Sequence, residues 1–239
     1  RLRAYDVRRV IELLADDGSV LELRPEFGLT SVTSLARIEG RPVGIIANNP
    51  MHLAGAVDTD GADKVARFLQ LCDAYDLPIV SLCDTPGIMV GPDAEGTGLV
   101  RHASRTIAIG ANVTVPFVTV VLRKAYGIGA QVMAAGHFRA PLFVVSWPTG
   151  EFGPMGMEGT IRLSHRKELA AIEDPEARDR YFRTLVDELY ERSNALGVAT
   201  AWEIDDVIDP AESRAWILSA LDAARQTRPA RKQPYLDTW

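Results

Sequence analysis

Phe117-Val118-Thr119-Val120-Val121-Leu122 runs directly into Arg123-Lys124-Ala125-Tyr126-Gly127-Ile128-Gly129-Ala130-Gln131-Val132-Met133. The first six residues are apolar or β-branched at both parities, as in a strand covered on both faces. The segment beyond them is helix-compatible, and two glycines stand at the junction. A buried strand that turns through glycines into a helix is the repeating step of an α/β fold. Glycine lets the backbone turn sharply and leaves amide N–H groups unobstructed at the helix N-terminus. The free donors and the helix dipole both favour negative charge there. Plain helix entry is the bland alternative, and these residues by themselves leave it open. A dinucleotide fingerprint is rejected. Val132 fills the third glycine position, and the segment lies far from an N-terminal βαβ unit.

Working outward, the same rhythm recurs. Apolar runs at Pro42–Ala47, Ile79–Cys83 and Leu142–Val145 read as further two-sided strands. Between the first two lies a helical stripe of Val65, Phe68, Leu69 and Cys72. Asp58, Asp60 and Asp63 read as the start of that helix. Asp174-Pro175-Glu176 and Asp209-Pro210-Ala211-Glu212 each offer an N-cap followed by proline, the second with a capping-box glutamate. The first of these helices places Phe182, Leu185, Val186 and Leu189 on its buried side, and the second Trp216, Ile217, Ala220 and Leu221. Before the alternation, residues 1–39 form a lead-in with a short helix at Val7–Leu14 and strands at Val20–Leu23 and Thr30–Ile38. The expected domain is 1–225, with a solvated tail at 226–239.

Two more glycine-bearing loops come directly after strands. Asp84-Thr85-Pro86-Gly87-Ile88-Met89 makes a rigid turn at a strand's carboxyl end, where α/β proteins tend to bind ligands. Trp147–Gly159 holds four glycines and two methionines, Met155 and Met157, an adaptable apolar surface that admits close approach of a ligand or partner. Its carboxylates Glu151 and Glu158 read as solvated side chains.

Composition narrows the function classes. A net charge of −6 gives no basic face for nucleic acid, and no apolar run reaches membrane-spanning length. The two cysteines, Cys72 and Cys83, sit among apolar neighbours and read as reduced core thiols of a cytoplasmic protein. The four histidines lack ligand spacing, so no metal site is expected. There is no Gly-x-Ser-x-Gly elbow, Walker A pattern or acid–base dyad. An enzyme built this way leans on backbone amides. Starting at Arg1 without an apolar leader, the chain reads as a fragment or a processed product.

Taken in order, Ala36–Asn48, Asp58–Pro78, the Asp84-Thr85-Pro86-Gly87 turn, the Arg123–Gly127 loop and Trp147-Pro148-Thr149 resemble the C-terminal domain of biotin-dependent acyl-CoA carboxylase carboxyltransferases. The resemblance spans roughly Tyr5 to Leu221. It implies a crotonase-like α/β superhelix of ββα units. It also implies transfer of carboxylate from carboxybiotin, held on a carrier domain, to the α-carbon of an acyl-CoA. The implied partners are the carboxyltransferase N-terminal half, the biotin carboxyl carrier and the biotin carboxylase, within a homo-oligomer. On this resemblance Gly127, Ile128, Gly129 and Ala130 form the biotin-side oxyanion turn, with the N–H groups of Ile128 and Gly129 as donors. Thr85, Pro86, Gly87, Ile88, Tyr126, Gln131, Met155 and Gly156 line the biotin and substrate site.

The chain departs from the family pattern at three places. Gly127-Ile128-Gly129-Ala130 stands where Gly-Gly-Ala-Tyr is common, and Ile88 where an aromatic residue is commoner. Gln131 occupies the acyl-length selector position, which implies a substrate other than the short acyl-CoAs. The departures at Ile88 and Gln131 resemble the branch fused into longer multidomain carboxylases. The alternatives are a self-contained crotonase-type hydratase or decarboxylase, for which no acid–base glutamate can be placed, and a non-catalytic assembly domain. Gly129→Pro is expected to remove one donor with little unfolding.

Overall fold

The computed structural model describes residues 3–224; the proposed tail at 226–239 and the first two residues lie outside them. In chain order the elements are α1 (Arg8–Leu14), β1 (Leu21–Glu22), β2 (Ser31–Ile38), β3 (Arg41–Asn48), α2 (Thr59–Ala74) and β4 (Ile79–Thr85). Next come α3 (Pro92–Gly96), α4 (Leu99–Gly110), β5 (Phe117–Tyr126), α5 (Gly127–Val132), β6 (Phe143–Ser146) and β7 (Glu151–Gly153). The last third holds α6 (Met157–Ser164), α7 (Arg166–Ala171), α8 (Pro175–Arg192), α9 (Ala195–Thr200), β8 (Asp206–Val207) and α10 (Ser213–Ala224).

All eight strands belong to one mixed sheet in the order β1-β2-β3-β4-β5-β6-β8, with β7 also paired to β5. β2 pairs antiparallel with β1 on one side and with β3 on the other, and every later strand pairing is parallel. The lead-in is therefore part of the sheet: β2 pairs with β3 over its full length, from Ser31↔Asn48 to Ile38↔Arg41. The two-residue turn between them, Glu39-Gly40, has φ of 50° and 73°, the left-handed pair that a hairpin matching the strand twist requires.

The apolar parity in the sequence becomes two cores, one on each face of the sheet. Ile45, Ala47, Val118, Val120 and Leu122 pack on one side, against α1 and α10. Ile46, Phe117, Val121 and Ala125 pack on the other, where α2 supplies Val65, Phe68, Leu69 and Cys72. Asp58 caps α2 by accepting from the Gly61 N–H at 2.9 Å, and Asp60 lies in its first turn. Asp63 instead faces α4, where it meets His102 Nδ1 at 2.8 Å and Arg105 at 3.2 Å.

Both proline-marked helices start where expected. Asp174 accepts from the N–H groups of Glu176 and Ala177. The Asp209/Glu212 capping box closes a single 3-10 turn that continues into α10. The buried stripe expected of α8 is corrected: only Val186 is fully buried, and Phe182, Leu185 and Leu189 remain half-exposed, because α8 rests on α6, α7 and α9 rather than on the sheet. The expected strand at Val20–Leu23 shortens to Leu21–Glu22.

Candidate active site

Three of the glycine-bearing loops meet at the N-terminal end of α5. β4 and β5 are parallel neighbours, so the turn after Thr85 and the turn after Tyr126 open on the same edge of the sheet. Thr85 shapes its turn by donating its hydroxyl to the Gly87 carbonyl at 3.0 Å and accepting from the Gly87 N–H at 3.2 Å. The Val57 N–H also donates to that carbonyl, and Ile88 bridges to Val57. Gly87 (φ 124°) and Gly127 (φ 53°) both occupy left-handed backbone conformations, which explains glycine at each.

The loops touch backbone to backbone. A side-chain carbon at Gly129 would stand 2.6 Å from the Gly87 carbonyl carbon, and one at Gly127 would stand 2.6 Å from the Pro154 carbonyl oxygen. The first amides of a helix have no intrahelical acceptor; here those amides belong to Gly127, Ile128 and Gly129. Around them Ile128 is 49% exposed and Met155 40% exposed. Gln131 is exposed, Gly156 and Pro86 are half-buried, and Ala130 is buried. The structure thus brings Thr85–Ile88, Tyr126–Gln131 and the stretch reaching Met155 and Gly156 to one place. The expectation that Gly129→Pro removes one donor with little unfolding is corrected. Even one added carbon collides with the Gly87 backbone, so that variant reports on packing as well as on an amide.

Beneath these loops lie charged groups that sequence reasoning did not connect. Asp84 is fully buried and accepts from the Tyr5 hydroxyl at 2.8 Å and the Lys124 N–H at 3.2 Å. It also pairs with the Arg123 guanidinium at 3.0 Å. Arg123 in turn lies over the Tyr5 ring. Burial, more than the neighbouring Asp84 charge, pushes the Tyr5 phenol well above its usual range. Burial likewise holds the Lys124 amine below its ordinary value, with Asp84 acting in the opposite direction.

Tyr126 is buried, and its hydroxyl donates to Glu151 Oε2 at 2.7 Å. Glu158 accepts from the Tyr190 hydroxyl at 3.2–3.3 Å. The reading of Glu151 and Glu158 as merely solvated carboxylates is corrected: each meets a phenol from a distant part of the chain, a pairing invisible in local sequence. Both cysteines are buried and free; burial pushes the Cys72 thiol up to about 12 and Cys83 higher still, which leaves both inert. Among the described residues no His, Cys, Asp or Glu cluster is arranged to hold a metal ion, and no helix is long and apolar enough to cross a membrane.

Residues 1–235 match the family described as the carboxyl transferase domain. The chain belongs to that family. It is 40% identical over 237 residues to the methylmalonyl-CoA carboxyltransferase 12S subunit of Propionibacterium freudenreichii subsp. shermanii, covering 96% of this chain and 44% of that protein. It is 37% identical to the propionyl-CoA carboxylase beta chain of Saccharopolyspora erythraea, covering 95% of this chain and 42% of that protein. Among solved structures, a single-chain, multi-domain long-chain acyl-CoA carboxylase superposes with a TM-score of 0.83 at 53% identity, covering 92% of this chain and 22% of that one. The transcarboxylase 12S structure, with methylmalonyl-CoA and methylmalonic acid bound, gives a TM-score of 0.86 at 39% identity over 98% of this chain and 45% of its own. The carboxyl transferase domain here therefore has the crotonase-like α/β fold of those proteins and spans a little under half the length of the 12S relative.

Proposed function

We propose that this chain is the C-terminal half of an acyl-CoA carboxyltransferase and forms the biotin side of an active site shared with an N-terminal half. The observation that carries this reading is the backbone-to-backbone meeting of the Gly87, Gly127–Gly129 and Pro154 loops at the mouth of α5, in a chain of the carboxyl transferase domain family. The same reading places residues 1–225 in one domain, with 1–39 as its lead-in and 226–239 as a tail, in a cytoplasmic protein.

On this reading the ureido group of biotin lies against the mouth of α5. Ile128 and Met155 offer exposed apolar surface beside the three loops. Carboxybiotin, when bound there, would supply the carboxylate that is transferred and leave as biotin. The chain's own part is electrostatic. The N–H groups of Ile128 and Gly129 are fixed before reaction and donate toward oxygen as negative charge develops, with the helix dipole in the same sense. Loss of one such donor typically costs about 3–4 kcal/mol of transition-state stabilisation. Thr85, Pro86, Gly87 and Ile88 form one wall, and Gln131, Met155 and Gly156 the rim. Gln131 at the selector position favours an acyl-CoA longer than the short ones. The 53% identity to a long-chain acyl-CoA carboxylase supports the same substrate class. Partners on this reading are the N-terminal half, a biotin carboxyl carrier and a biotin carboxylase, in a homo-oligomer.

The test is biocytin-dependent decarboxylation of malonyl-CoA and methylmalonyl-CoA by the chain alone and mixed with its N-terminal half. Activity confined to the mixture is the expected result. Biotin-independent turnover of an acyl-CoA by the chain alone would move the assignment to a self-contained crotonase-type hydratase or decarboxylase.

A further inference from the structure

Tyr126 is the last residue of β5 and the N-cap of α5, yet its side chain makes no capping hydrogen bond. The residue is 3% exposed, so it offers almost no surface to a bound molecule. Its hydroxyl instead reaches sideways to the Glu151 carboxylate at 2.7 Å. Glu151 opens β7, which pairs with β5 through Lys124↔Glu151, Ala125↔Phe152 and Tyr126↔Gly153. One residue beyond that pairing stands Pro154, whose carbonyl oxygen lies where a side chain on Gly127 would have to go.

A three-residue strand supplies few ladder bonds of its own, so the Tyr126–Glu151 contact has a large share in fixing its register. A hydrogen bond to an ionised carboxylate is shorter and stronger than a neutral one, and stronger again away from water. The far side of β7 is held independently: the Phe152 N–H donates to the Ser193 carbonyl at 2.8 Å, and Glu151 bridges to Asn194, the N-cap of α9. The strand is thus clamped between the β5 end and the corner joining α8 to α9.

We propose that Glu151 and Tyr126 are a positioning pair. The carboxylate holds the phenol, the phenol fixes β7 against β5, and the register of β7 sets the Pro154 carbonyl against Gly127 and so aims the first amides of α5. This inference rests on the reading of those amides as the biotin-side donors. It moves Tyr126 from a ligand contact to a residue acting through its neighbours, and it gives Glu151 a role in the geometry of the turn without proton transfer.

The test uses the complete carboxylase that contains this chain, assaying carboxyl transfer from carboxybiotin to acyl-CoA in wild type, Tyr126→Phe, Glu151→Gln and Glu151→Ala. Misplacing a positioned group by about 1 Å can cost up to about 100-fold in rate. Tyr126→Phe and Glu151→Ala are expected to lower kcat about tenfold or more with the acyl-CoA KM unchanged and assembly intact. Glu151→Gln, which keeps an acceptor for the phenol, is expected to restore most of kcat. Wild-type kcat in a folded Tyr126→Phe enzyme would overturn the positioning role while leaving the proposed function standing. Equal loss in Glu151→Gln and Glu151→Ala would also overturn it, because the carboxylate would then matter for something other than holding the phenol. A wild-type enzyme with no biotin-dependent transfer would overturn the proposed function itself, and this inference with it.

Discussion

At the scale of single residues, Asp84 is a buried carboxylate held by partners from distant parts of the chain. It is fully buried and is met by Tyr5, Arg123 and the Lys124 backbone, tying the first described residues to the ends of β4 and β5. Removing one partner of a buried ion pair leaves the other uncompensated, at a cost of about 3–5 kcal/mol. Asp84→Ala is therefore expected to lose about that much in urea unfolding. A loss within the ±0.5 kcal/mol usual for surface substitutions, roughly, would contradict the placement. The sequence exposed Asp84 only as the first letter of a turn motif, because its partners are 39 and 79 positions away. Gly87 and Gly127 were legible for a different reason. A glycine directly after a buried strand announces an unusual backbone angle, and both have one.

At the scale of elements, the β2–β3 hairpin is fastened from outside. Asp16 accepts from the Glu39 N–H at 2.9 Å and the Gly40 N–H at 2.7 Å, and pairs with Arg214 of α10 at 2.6 Å. These contacts, the Gly40 amide first and Arg214 next, hold the Asp16 carboxyl below its ordinary value of 3.8. A carboxyl with a depressed folded value binds fewer protons folded than unfolded. Its stabilisation is present above 3.8 and disappears as pH falls through the depressed value. Acid unfolding monitored by circular dichroism is expected to show a constant gap between wild type and Asp16→Asn above 3.8, closing as pH falls from there through the depressed value. A gap that persists unchanged into acid would contradict the assignment. Elements buried on both faces were legible because apolar residues at both parities admit few other readings. The helix α4 escaped notice because it starts at Gly98 in a left-handed conformation with no side-chain cap. The strand β7 escaped because three residues carry no period, and its pairing with β5 depends on contacts 25 residues or more apart.

At the scale of the whole molecule, the glycine loops lie some forty and some twenty-five positions apart in the chain, yet a parallel sheet delivers all of them to one edge. The family resemblance was readable because five motifs occur in a fixed order, whereas the contacts that aim the turn were not, since each joins residues from different motifs. The central claim is that this meeting point of backbones carries the chemistry, and Gly127→Ala tests it most directly. The added carbon meets the Pro154 carbonyl and forces a left-handed angle on a residue that disfavours it. The measurement is biocytin-dependent carboxyl transfer by the chain reassembled with its N-terminal half, with assembly verified by sedimentation. A fall of about 100-fold with the assembly intact is the predicted result. An assembled Gly127→Ala protein that transfers at the wild-type rate would contradict the claim.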